Sequence, residues 1–284
     1  MNGFYNIIKP VGFTASDVVV KIKRIVNQSK VGHLGTLDPG ASGVLPIAVG
    51  SCTKLFNFLT YKIKKYRAFI TFGVTTDTLD SYGKITATSD VVPDLEALTR
   101  AVASFTGKSM QLPPKYSALS VGGVRAYNLA RSGQEFTLML REIEISDISV
   151  VRQVDSKTYC IDIVCSGGTY IRSIARDLGE RLNTVAYMSG LIRLQSGKFT
   201  IDDAVTLDEL IASPLQYLYP QEYAFCDLDK ITFSKEFYKQ LVNGVKISCE
   251  DFDGYRQVFC EEQLIALAKC NNGRLETEYL IRND

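Results

Sequence analysis

The sequence predicts an α+β fold, and two observations support this class. Some segments alternate apolar with polar residues and are rich in β-branched and aromatic side chains, whereas others repeat apolar residues at helical spacing. The predicted strands come in hairpin-like groups, without the regular strand–helix alternation of an α/β protein. Hydrophobic residues make up 46% and charged residues 22% of the 284 residues, which is enough for a substantial core.

The first elements are a predicted strand, a helix, a glycine-rich loop and a second strand. The segment FYNIIKP is a strand that ends at Pro10, because proline has no amide proton for the sheet. A helix is predicted over TASDVVVKIKRIVNQ, with Thr14 or Ser16 as its N-cap. The apolar stripe of this helix consists of Val19, Ile22, Ile25 and Val26. After the glycine-rich loop, GVLPIAVG is predicted to be a buried strand.

The next part of the chain alternates strands, turns and short helices. Residues 52–60 are predicted to be helical, and KKYRAFITFG to be a half-buried strand before the turn-rich VTTDTLDSYGK. A helix follows in PDLEALTRAVASFTGK, with Pro93 at its start and Gly107 beyond its end. The segment MQLPPKYSALSVGGVRAYNLARSG is predicted to begin as a proline-rich loop and to end as a short helix.

The remaining chain predicts a domain boundary. Strands are expected around 141–152, 157–165 and 185–199, with helices near 169–183 and in DDAVTLDELIA. The proline- and aromatic-rich segment SPLQYLYPQEYAF interrupts this pattern, so we place a boundary near residue 226. The predicted domains are 1–226 and 227–284. The second contains a helix in SKEFYKQLVNG followed by short strands.

Cysteine and histidine usage argues against a zinc site. The chain has seven cysteines, no C-x-x-C pair and one histidine, so reduced and mostly buried thiols are expected. The start, MNGFYNIIKPVGF, lacks the charged and apolar regions of a signal peptide. No apolar run approaches the length of a membrane span. These features predict a cytoplasmic protein that does not associate with membranes.

The charge is unevenly distributed along the chain. The net charge is +1, but residues 1–67 hold ten basic and two acidic side chains. One strongly basic end on a nearly neutral protein indicates a polyanionic partner that meets a defined face. A solvated helix face with a chance excess of lysine would give the same asymmetry.

The glycine-rich loop GHLGTLDPGASGVLPIAVG carries His33, the only histidine, together with Asp38. Its glycines could support tight turns alone, and Asp38-Pro39-Gly40 is itself a good turn sequence. Alternatively, glycines let a backbone approach a bulky ligand while one loop carries the chemistry. The loop lacks the spacing of a phosphate loop or a dinucleotide fingerprint.

Other classes of catalytic site find little support in the sequence. A hydrolase would need a nucleophile beside the histidine, and nothing marks Ser42 or Cys52 as one. A metal nuclease would need several clustered carboxylates, and Asp77 with Asp80 is a single pair. A zinc deaminase needs histidine and cysteine ligands that the chain lacks. A single carboxylate acting without metal, as a nucleophile or a base, remains.

The glycine-rich loop resembles the catalytic motif of the TruB family of tRNA pseudouridine synthases. Further segments agree in order, over roughly residues 3–213. They are NIIKPVGFTASDVVVKIKR, KKYRAFITFGVTTDTLDSYG, PPKYSALSVGGVRAYNLAR, CSGGTYIRSIARDLGERL and MSGLIRLQSGKFTIDDAVTLDEL.

This resemblance implies a fold and a reaction. The fold would be a pseudouridine synthase catalytic domain, with a mixed or antiparallel sheet flanked by helices. A small, β-rich, PUA-like RNA-binding domain would follow at the C-terminus. The reaction would isomerise uridine 55 in the T-arm loop of tRNA to pseudouridine, without cofactor or metal. The N-glycosidic bond breaks, the uracil turns, and C5 bonds to the ribose C1′.

The resemblance also assigns roles to residues. Asp38 matches the catalytic aspartate, Tyr66 the tyrosine that stacks on the flipped base, and Arg172 an arginine that pairs with the aspartate. An adjacent guanidinium is expected to hold the pKa of Asp38 down. Without the motifs, Tyr66 would more simply be a core aromatic and Arg172 a solvated helix residue.

The other expected positions surround the flipped base or the RNA backbone. His33 is expected to fill space in the RNA loop rather than act as a general base. The remaining residues expected near the uracil are Tyr170, Leu191 and Asp80. Phosphate contacts, which give affinity without sequence choice, are expected from Lys9, Lys21, Lys64 and Lys65.

Two alternatives stay open at this level. One is a tRNA-binding folding chaperone in which catalysis is secondary or lost. The other is a related synthase guided by RNA and partner proteins. Retention of Asp38, Tyr66 and Arg172 favours an active enzyme, and the short C-terminal domain favours a stand-alone one. We expect a monomer that binds the T-arm of tRNA and requires no protein partner.

Overall fold

The computed structural model of the protein describes residues 1–58 and 63–281. This part of the chain contains seventeen strands. They are β1 Gly3–Lys9, β2 Val31–His33, β3 Ala41–Val49, β4 Lys64–Phe72, β5 Val74–Thr76, β6 Ile85–Thr88, β7 Gly107–Gln111, β8 Ser120–Val121, β9 Val124–Arg125, β10 Arg141–Gln153, β11 Thr158–Cys165, β12 Ala186–Ser196, β13 Phe199–Thr200, β14 Lys230–Phe233, β15 Arg256–Cys260, β16 Gln263–Asn271 and β17 Arg274–Leu280.

Six α-helices and three 3₁₀ segments accompany these strands in the described residues. The helices are α1 Ala15–Ile25, α2 Leu95–Ala103, α3 Ala126–Arg131, α4 Ile171–Arg181, α5 Leu207–Ala212 and α6 Tyr238–Val242. The 3₁₀ segments are Gly50–Phe58, Gln221–Ala224 and Lys235–Phe237. The predicted helix over residues 52–60 is therefore a 3₁₀ segment up to Phe58, and its last two positions lie outside the described residues.

A nine-stranded mixed sheet organises the first part of the chain. Its order is β1-β3-β12-β4-β11-β10-β7, with β2 beside β3 and β13 beside β12. The strand pairs are antiparallel except β12 and β3, which are parallel over Leu191–Arg193 and Ala41–Gly43. This contact brings β12 beside the strand that follows the glycine-rich loop. The predicted α+β class and mixed sheet are confirmed.

Local sequence chemistry explains the elements that frame the site. Thr14 is the N-cap of α1 and forms a capping box with Asp17, which satisfies amide protons at the helix start. Strand β4 alternates buried and half-buried residues, as its sequence predicts. Gly43 has a φ of +99°, and a Cβ there would lie 2.3 Å from the Arg193 carbonyl oxygen, so β3 and β12 can approach only at a glycine.

Two apolar layers pack helices against this sheet. One layer packs α2 and α4 against central strands, with Ile70, Ile163 and Ile174 fully buried. The other packs α1 and α5 against β1 and β3, with Val18, Ile22 and Leu210 among its members. Burial of such side chains contributes roughly 1.5–3 kcal/mol each. The sheet is therefore a rigid support for loops at its edges.

The last part of the chain forms a second sheet with the order β14-β15-β16-β17. It has its own core around Leu241, Val258 and Ala266. A further core is shared with the first sheet, because Leu267 and Tyr279 pack in one cluster with β1 and β3 residues. The region is rich in strands, as predicted, whereas the boundary near residue 226 and the PUA-like character stay predictions.

Two features differ from the sequence predictions. The proline-rich segment contains a small hairpin, β8 and β9, whose glycine turn has positive φ at Gly122 and Gly123. Strand β14 precedes the C-terminal helix and pairs in parallel with β15, although only strands after the helix were expected. Among the described residues, no helix is long and apolar enough to span a membrane.

Candidate active site

A cleft of about 640 Å³ opens beside the central strands β4 and β12 of the first sheet. Its walls come from the glycine-rich loop, from strands β4 and β12, from the start of α4 and from the segment around α3. The residues that line it are Gly35, Thr36, Leu37, Asp38, Pro39, Gly40, Lys64, Tyr66, Thr78, Asp80, Tyr82, Tyr116, Ser117, Ala118, Tyr127, Arg131, Gly168, Thr169, Tyr170, Ile171, Arg172, Leu191 and Arg193. This volume falls within the range of small-molecule and nucleotide sites.

Asp38 and Arg172 form a two-point ion pair in this cleft. The Arg172 Nε atom lies 2.9 Å from Asp38 Oδ2, and Nη2 donates to Oδ1 at 3.1 Å. The same guanidinium donates to the backbone oxygens of Thr78 at 3.1 Å and Tyr116 at 3.0 Å. Its Nη1 atom lies 3.6 Å from Asp80 Oδ2. Arg172 therefore fixes the carboxylate and joins three segments of the cleft wall.

The pKa of Asp38 departs from the expectation. We expected the neighbouring guanidinium to lower it, but burial in the cleft raises the pKa above its usual value. The Arg172 charge opposes this shift, while the Asp80 carboxylate adds to it. The expectation was wrong because it counted the opposite charge and not the loss of water around the carboxyl group. The Asp38 side chain is still 33% exposed, so a ligand can reach it from the cleft.

Tyr66 lies on β4, at the floor of the cleft. Its side chain is 9% exposed, and burial raises the pKa of its phenol, which keeps the hydroxyl protonated. In the sheet register Tyr66 lies opposite Arg193, and Leu191 lies opposite Ala68. Side chains two residues apart share a face of the sheet, so Leu191 and Arg193 both point towards the cleft.

Arg193 is a cleft residue that our reading of the sequence missed. Its side chain is only 1% exposed, and its Nε atom donates to the Val44 backbone oxygen at 2.7 Å. Its terminal nitrogens donate to the carbonyls of Thr36 at 3.3 Å and Gly35 at 3.2 Å. The sequence did contain a signal for Arg193. An arginine occupies an inward-facing position of the strand LIRLQ, where an apolar residue is expected.

Lys64 also faces the cleft rather than the outer basic surface. Its ammonium donates to the Ser196 hydroxyl. Burial, with a smaller contribution from the Arg193 charge, lowers its pKa to about 8. No carboxylate within 4.0 Å pairs with Lys64 or Arg193 in the described residues, so this side of the cleft is positive.

The expected phosphate contact of Lys9 is wrong. Lys9 is fully buried, and its ammonium donates to the backbone oxygens of Pro10 at 2.9 Å, Phe13 at 2.5 Å and Pro39 at 3.3 Å. A lysine enclosed by carbonyl oxygens cannot reach an external phosphate without leaving three hydrogen bonds. It instead holds the end of the glycine-rich loop beside Asp38, and burial lowers its pKa to about 8.

Besides Lys9, three expected residues lie away from the cleft lining in the described chain. His33 is the last residue of β2 and lies opposite Ile47 on β3. Its buried Nδ1 atom has no hydrogen-bond partner among the described residues. Burial lowers the pKa of the imidazole, which favours the neutral ring. Lys21 is exposed on α1, 4.8 Å above the Phe13 ring, and Lys65 is half-buried on β4.

The start of α4 is held by a glutamine that the sequence reading also missed. Tyr170 is the residue before α4, and its backbone N–H donates to Gln111 Oε1 at 2.9 Å. The Gln111 side-chain nitrogen donates back to the Tyr170 carbonyl at 3.1 Å. Because Arg172 follows two residues later, this paired contact also helps to fix the guanidinium.

Taken together, these contacts place one carboxylate, a paired guanidinium and an aromatic ring around a nucleotide-sized space. Seven of the expected residues line the cleft, namely Asp38, Tyr66, Asp80, Tyr170, Arg172, Leu191 and Lys64. The resemblance implied this for the first six, whereas Lys64 was expected to contact the RNA backbone. A carboxylate fixed in this way can attack an electrophilic carbon or remove a proton. No cluster of three or more histidine, cysteine or carboxylate side chains suited to a metal occurs in the described residues.

Two family models match the chain. The model described as TruB family pseudouridylate synthase (N terminal domain) matches residues 23–171. The model described as tRNA pseudouridylate synthase B C-terminal domain matches residues 172–229. The first covers Asp38, Tyr66, Asp80 and Tyr170, and the second begins at Arg172.

Curated proteins and solved structures are also similar to the chain. A tRNA pseudouridine synthase B from Alkaliphilus oremlandii is 40% identical over 249 residues, which cover 87% of this chain and 83% of the relative. A tRNA pseudouridine synthase B from Clostridium novyi is 38% identical over 289 residues, which cover 99% of this chain and 100% of the relative. The structure named "Crystal Structure of a Cbf5-Nop10-Gar1 Complex" matches with a TM-score of 0.74 at 24% identity, over 98% of this chain and 84% of the other. The structure of an H/ACA RNP bound to a substrate RNA containing 2′-deoxyuridine also matches with a TM-score of 0.74, at 22% sequence identity. This match covers 99% of this chain and 86% of the other. These structural matches support the fold.

Proposed function

The chain belongs to the TruB family of pseudouridylate synthases, and we propose that it isomerises uridine 55 in the T-loop of tRNA to pseudouridine. The observation that carries the proposal is the ion pair of Asp38 and Arg172 beside Tyr66, at the bottom of a cleft that admits a nucleotide. The curated relatives are named tRNA pseudouridine synthase B, which supports tRNA as the substrate.

The uridine must leave its RNA loop before it can enter the cleft. Extrusion of a base costs about a few kcal/mol of stacking and pairing energy. Tyr66 offers an aromatic face on the cleft floor, and stacking of one base on such a ring returns roughly 1–3 kcal/mol. Leu191 and the side chain of Tyr170 line the same space and would hold the uracil from other sides.

Asp38 carries the chemistry in this proposal. Its ionised carboxylate either attacks the ribose or removes a proton from it, which frees the uracil from C1′. The uracil then turns within the cleft and C5 bonds to C1′, which displaces the carboxylate if it had attacked the ribose. If the carboxylate had removed a ribose proton, it returns that proton at this step, and in both cases the hydrogen on C5 is lost to solvent. Arg172 keeps the carboxylate oriented and stabilises its negative charge against burial. The reaction is an isomerisation without net oxidation or reduction, so it needs no redox group.

Cations around the cleft would position the RNA backbone. Lys64 lies inside the cleft, and Lys21 and Lys65 lie outside it, so the three would contact different phosphates. His33 would fill space within the RNA loop as a neutral ring. We further propose that the protein acts in the cytoplasm as a monomer, without a partner protein.

The proposal predicts one product at one position of one RNA. Unmodified tRNA transcript is incubated with the protein, and pseudouridine is located by carbodiimide labelling and primer extension. We expect modification at position 55 and none in a transcript with cytidine there. Tight binding without modification would instead support a tRNA-folding chaperone, and modification only after addition of a guide RNA would support a guided enzyme.

A further inference from the structure

Two cysteines far from the cleft lie in direct contact within the second sheet. The Sγ atoms of Cys249 and Cys270 are 3.0 Å apart. Both side chains are partly exposed, whereas Cys52, Cys160, Cys165 and Cys260 are buried. Neither thiol is used by the proposed reaction, and the two sulfurs are not bonded to each other in this structure.

Backbone contacts fix both thiols in this position. The Cys249 N–H donates to the Gly273 carbonyl at 3.0 Å, and the Leu275 N–H donates to the Ile247 carbonyl at 2.8 Å. Ser248 forms an isolated bridge with Arg274, at the start of β17. The segment before β15 is therefore pinned to the turn between β16 and β17. Cys270 lies on β16 next to that turn, so the two thiols cannot separate freely.

A neighbouring carboxylate completes the cluster. Asp251 Oδ1 accepts from the Gly273 N–H at 2.7 Å and from the Cys270 thiol at 3.2 Å. Burial and the neighbouring sulfur raise the pKa of Cys249. The thiolate is the nucleophilic form of cysteine. Asp251 is placed to accept the proton of Cys270, so we assign the first attack to Cys270.

From this arrangement we infer that Cys249 and Cys270 form an oxidation site, which peroxide converts into a disulfide within the second sheet. The Cys270 thiolate attacks one peroxide oxygen, gives a sulfenic acid and releases hydroxide, which takes up a proton as water. The Cys249 sulfur then attacks the Cys270 sulfur, expels the hydroxyl group as a second water and closes the S–S bond. Two thiols lose two electrons and two protons, and one peroxide is reduced to two waters.

The bond would fasten the segment before β15 to the hairpin of β16 and β17. A covalent link between the two restricts local opening of the sheet. The cleft lies on the first sheet, so the site does not depend on the proposed RNA reaction. Its effect is therefore measured on the protein alone.

Peptide mapping of the full chain tests the inference. The protein is treated with hydrogen peroxide, denatured, alkylated and digested with trypsin, which cuts after Lys246, Arg256, Lys269 and Arg274. We expect peptide 247–256 to be linked to peptide 270–274, with loss of two of the seven alkylatable thiols. Dithiothreitol should restore both thiols.

Single-cysteine variants supply the controls. Cys249→Ser and Cys270→Ser should each abolish the link, whereas Cys226→Ser, which changes an exposed cysteine elsewhere, should retain it. The linked wild type should also resist cleavage at Arg256 in the native state more than its reduced form. Oxidation of Cys226 while Cys249 and Cys270 stay alkylatable, or their separate conversion to sulfinic acids, would overturn the inference.

Discussion

The carboxylate of Asp38 and the guanidinium of Arg172 are held together by contacts of 2.9 and 3.1 Å, although 134 positions separate the two residues. The loop before β3 supplies the first residue and the opening turn of α4 supplies the second. Arg172 is itself held by two backbone carbonyls, so its position does not depend on Asp38. The pair is thus a preorganised site for an ionised carboxylate in a partly dry cleft.

Shortening or neutralising the arginine should slow the reaction. Arg172→Lys keeps a charge but loses the two-point geometry, and Arg172→Met loses both. Hydrogen bonds to a charged group are worth about 1.5–3 kcal/mol, so we expect turnover to fall about tenfold to a hundredfold, more for methionine. Single-turnover rates with saturating enzyme measure this. Arg176→Met changes a nearby helix arginine outside the cleft and should leave the rate near wild type. Equal rates for all three variants would refute a role for the pair.

Changes at Tyr66 should separate ring stacking from hydroxyl chemistry. Tyr66→Phe retains the aromatic face and should keep most of the activity. Tyr66→Leu removes the face, and a loss of about 1–3 kcal/mol in transition-state stabilisation corresponds to roughly fivefold to a hundredfold in kcat/KM. Rates on the same tRNA transcript provide the comparison. If leucine and phenylalanine performed alike, Tyr66 would be an ordinary core residue.

Arg193 should matter for both stability and rate, although it does not contact the proposed reacting atoms. Arg193→Met leaves the carbonyls of Val44, Thr36 and Gly35 without their donor, which costs about 1–3 kcal/mol of unfolding free energy. Loosening of the loop should also lower kcat, by about a hundredfold for a shift near 1 Å. Urea unfolding and single-turnover kinetics measure the two effects.

Arg67→Met is the matched control for that variant, because Arg67 is a partly exposed arginine on the neighbouring strand β4 and pairs with Asp162. Its loss should change the unfolding free energy by less than about 1 kcal/mol and leave the rate unchanged. Identical effects of the two substitutions would show that Arg193 has no special position.

As the pH falls, the protein should lose activity at a higher pH than it would with a solvated aspartate. Burial raises the pKa of Asp38, so its carboxylate is protonated at a higher pH than that of a solvated aspartate, and activity is lost as the pH falls. Asp80→Asn removes the like charge that contributes to this shift but retains an oxygen for the Thr78 hydroxyl and the Tyr82 N–H. We expect its acid limb to move to lower pH. Single-turnover pH profiles test this, and a limb that moves upwards would contradict the assignment.

Sequence reasoning predicted the local parts of this structure well. The Thr14 cap, the buried strand β3 and the alternating strand β4 follow from patterns within single segments. The family resemblance placed Asp38 beside Arg172, a contact that no local pattern specifies. Sequence separation hides such pairs because strand order, not chain order, decides which residues meet.

Other features depended on burial, which charge patterns do not reveal. Lys9 sits in a basic stretch and was expected at the surface, yet backbone carbonyls enclose it. Arg193 was overlooked because one cation in a strand carries little information until the register shows which way it points. The pKa of Asp38 was expected to fall because only the neighbouring charge of Arg172 was considered. Desolvation raises this pKa, and the sequence does not show how much water the carboxyl group loses.

Release of tritium from tRNA carrying 5-tritiated uridine tests the central claim most directly, because pseudouridine formation frees the hydrogen on C5. Wild type and Asp38→Asn, a variant of the same shape that cannot ionise, are compared at equal tRNA occupancy. We predict release by wild type to a plateau near one per tRNA, and none by the variant. Full release by Asp38→Asn would contradict the assignment of Asp38 as the catalytic residue.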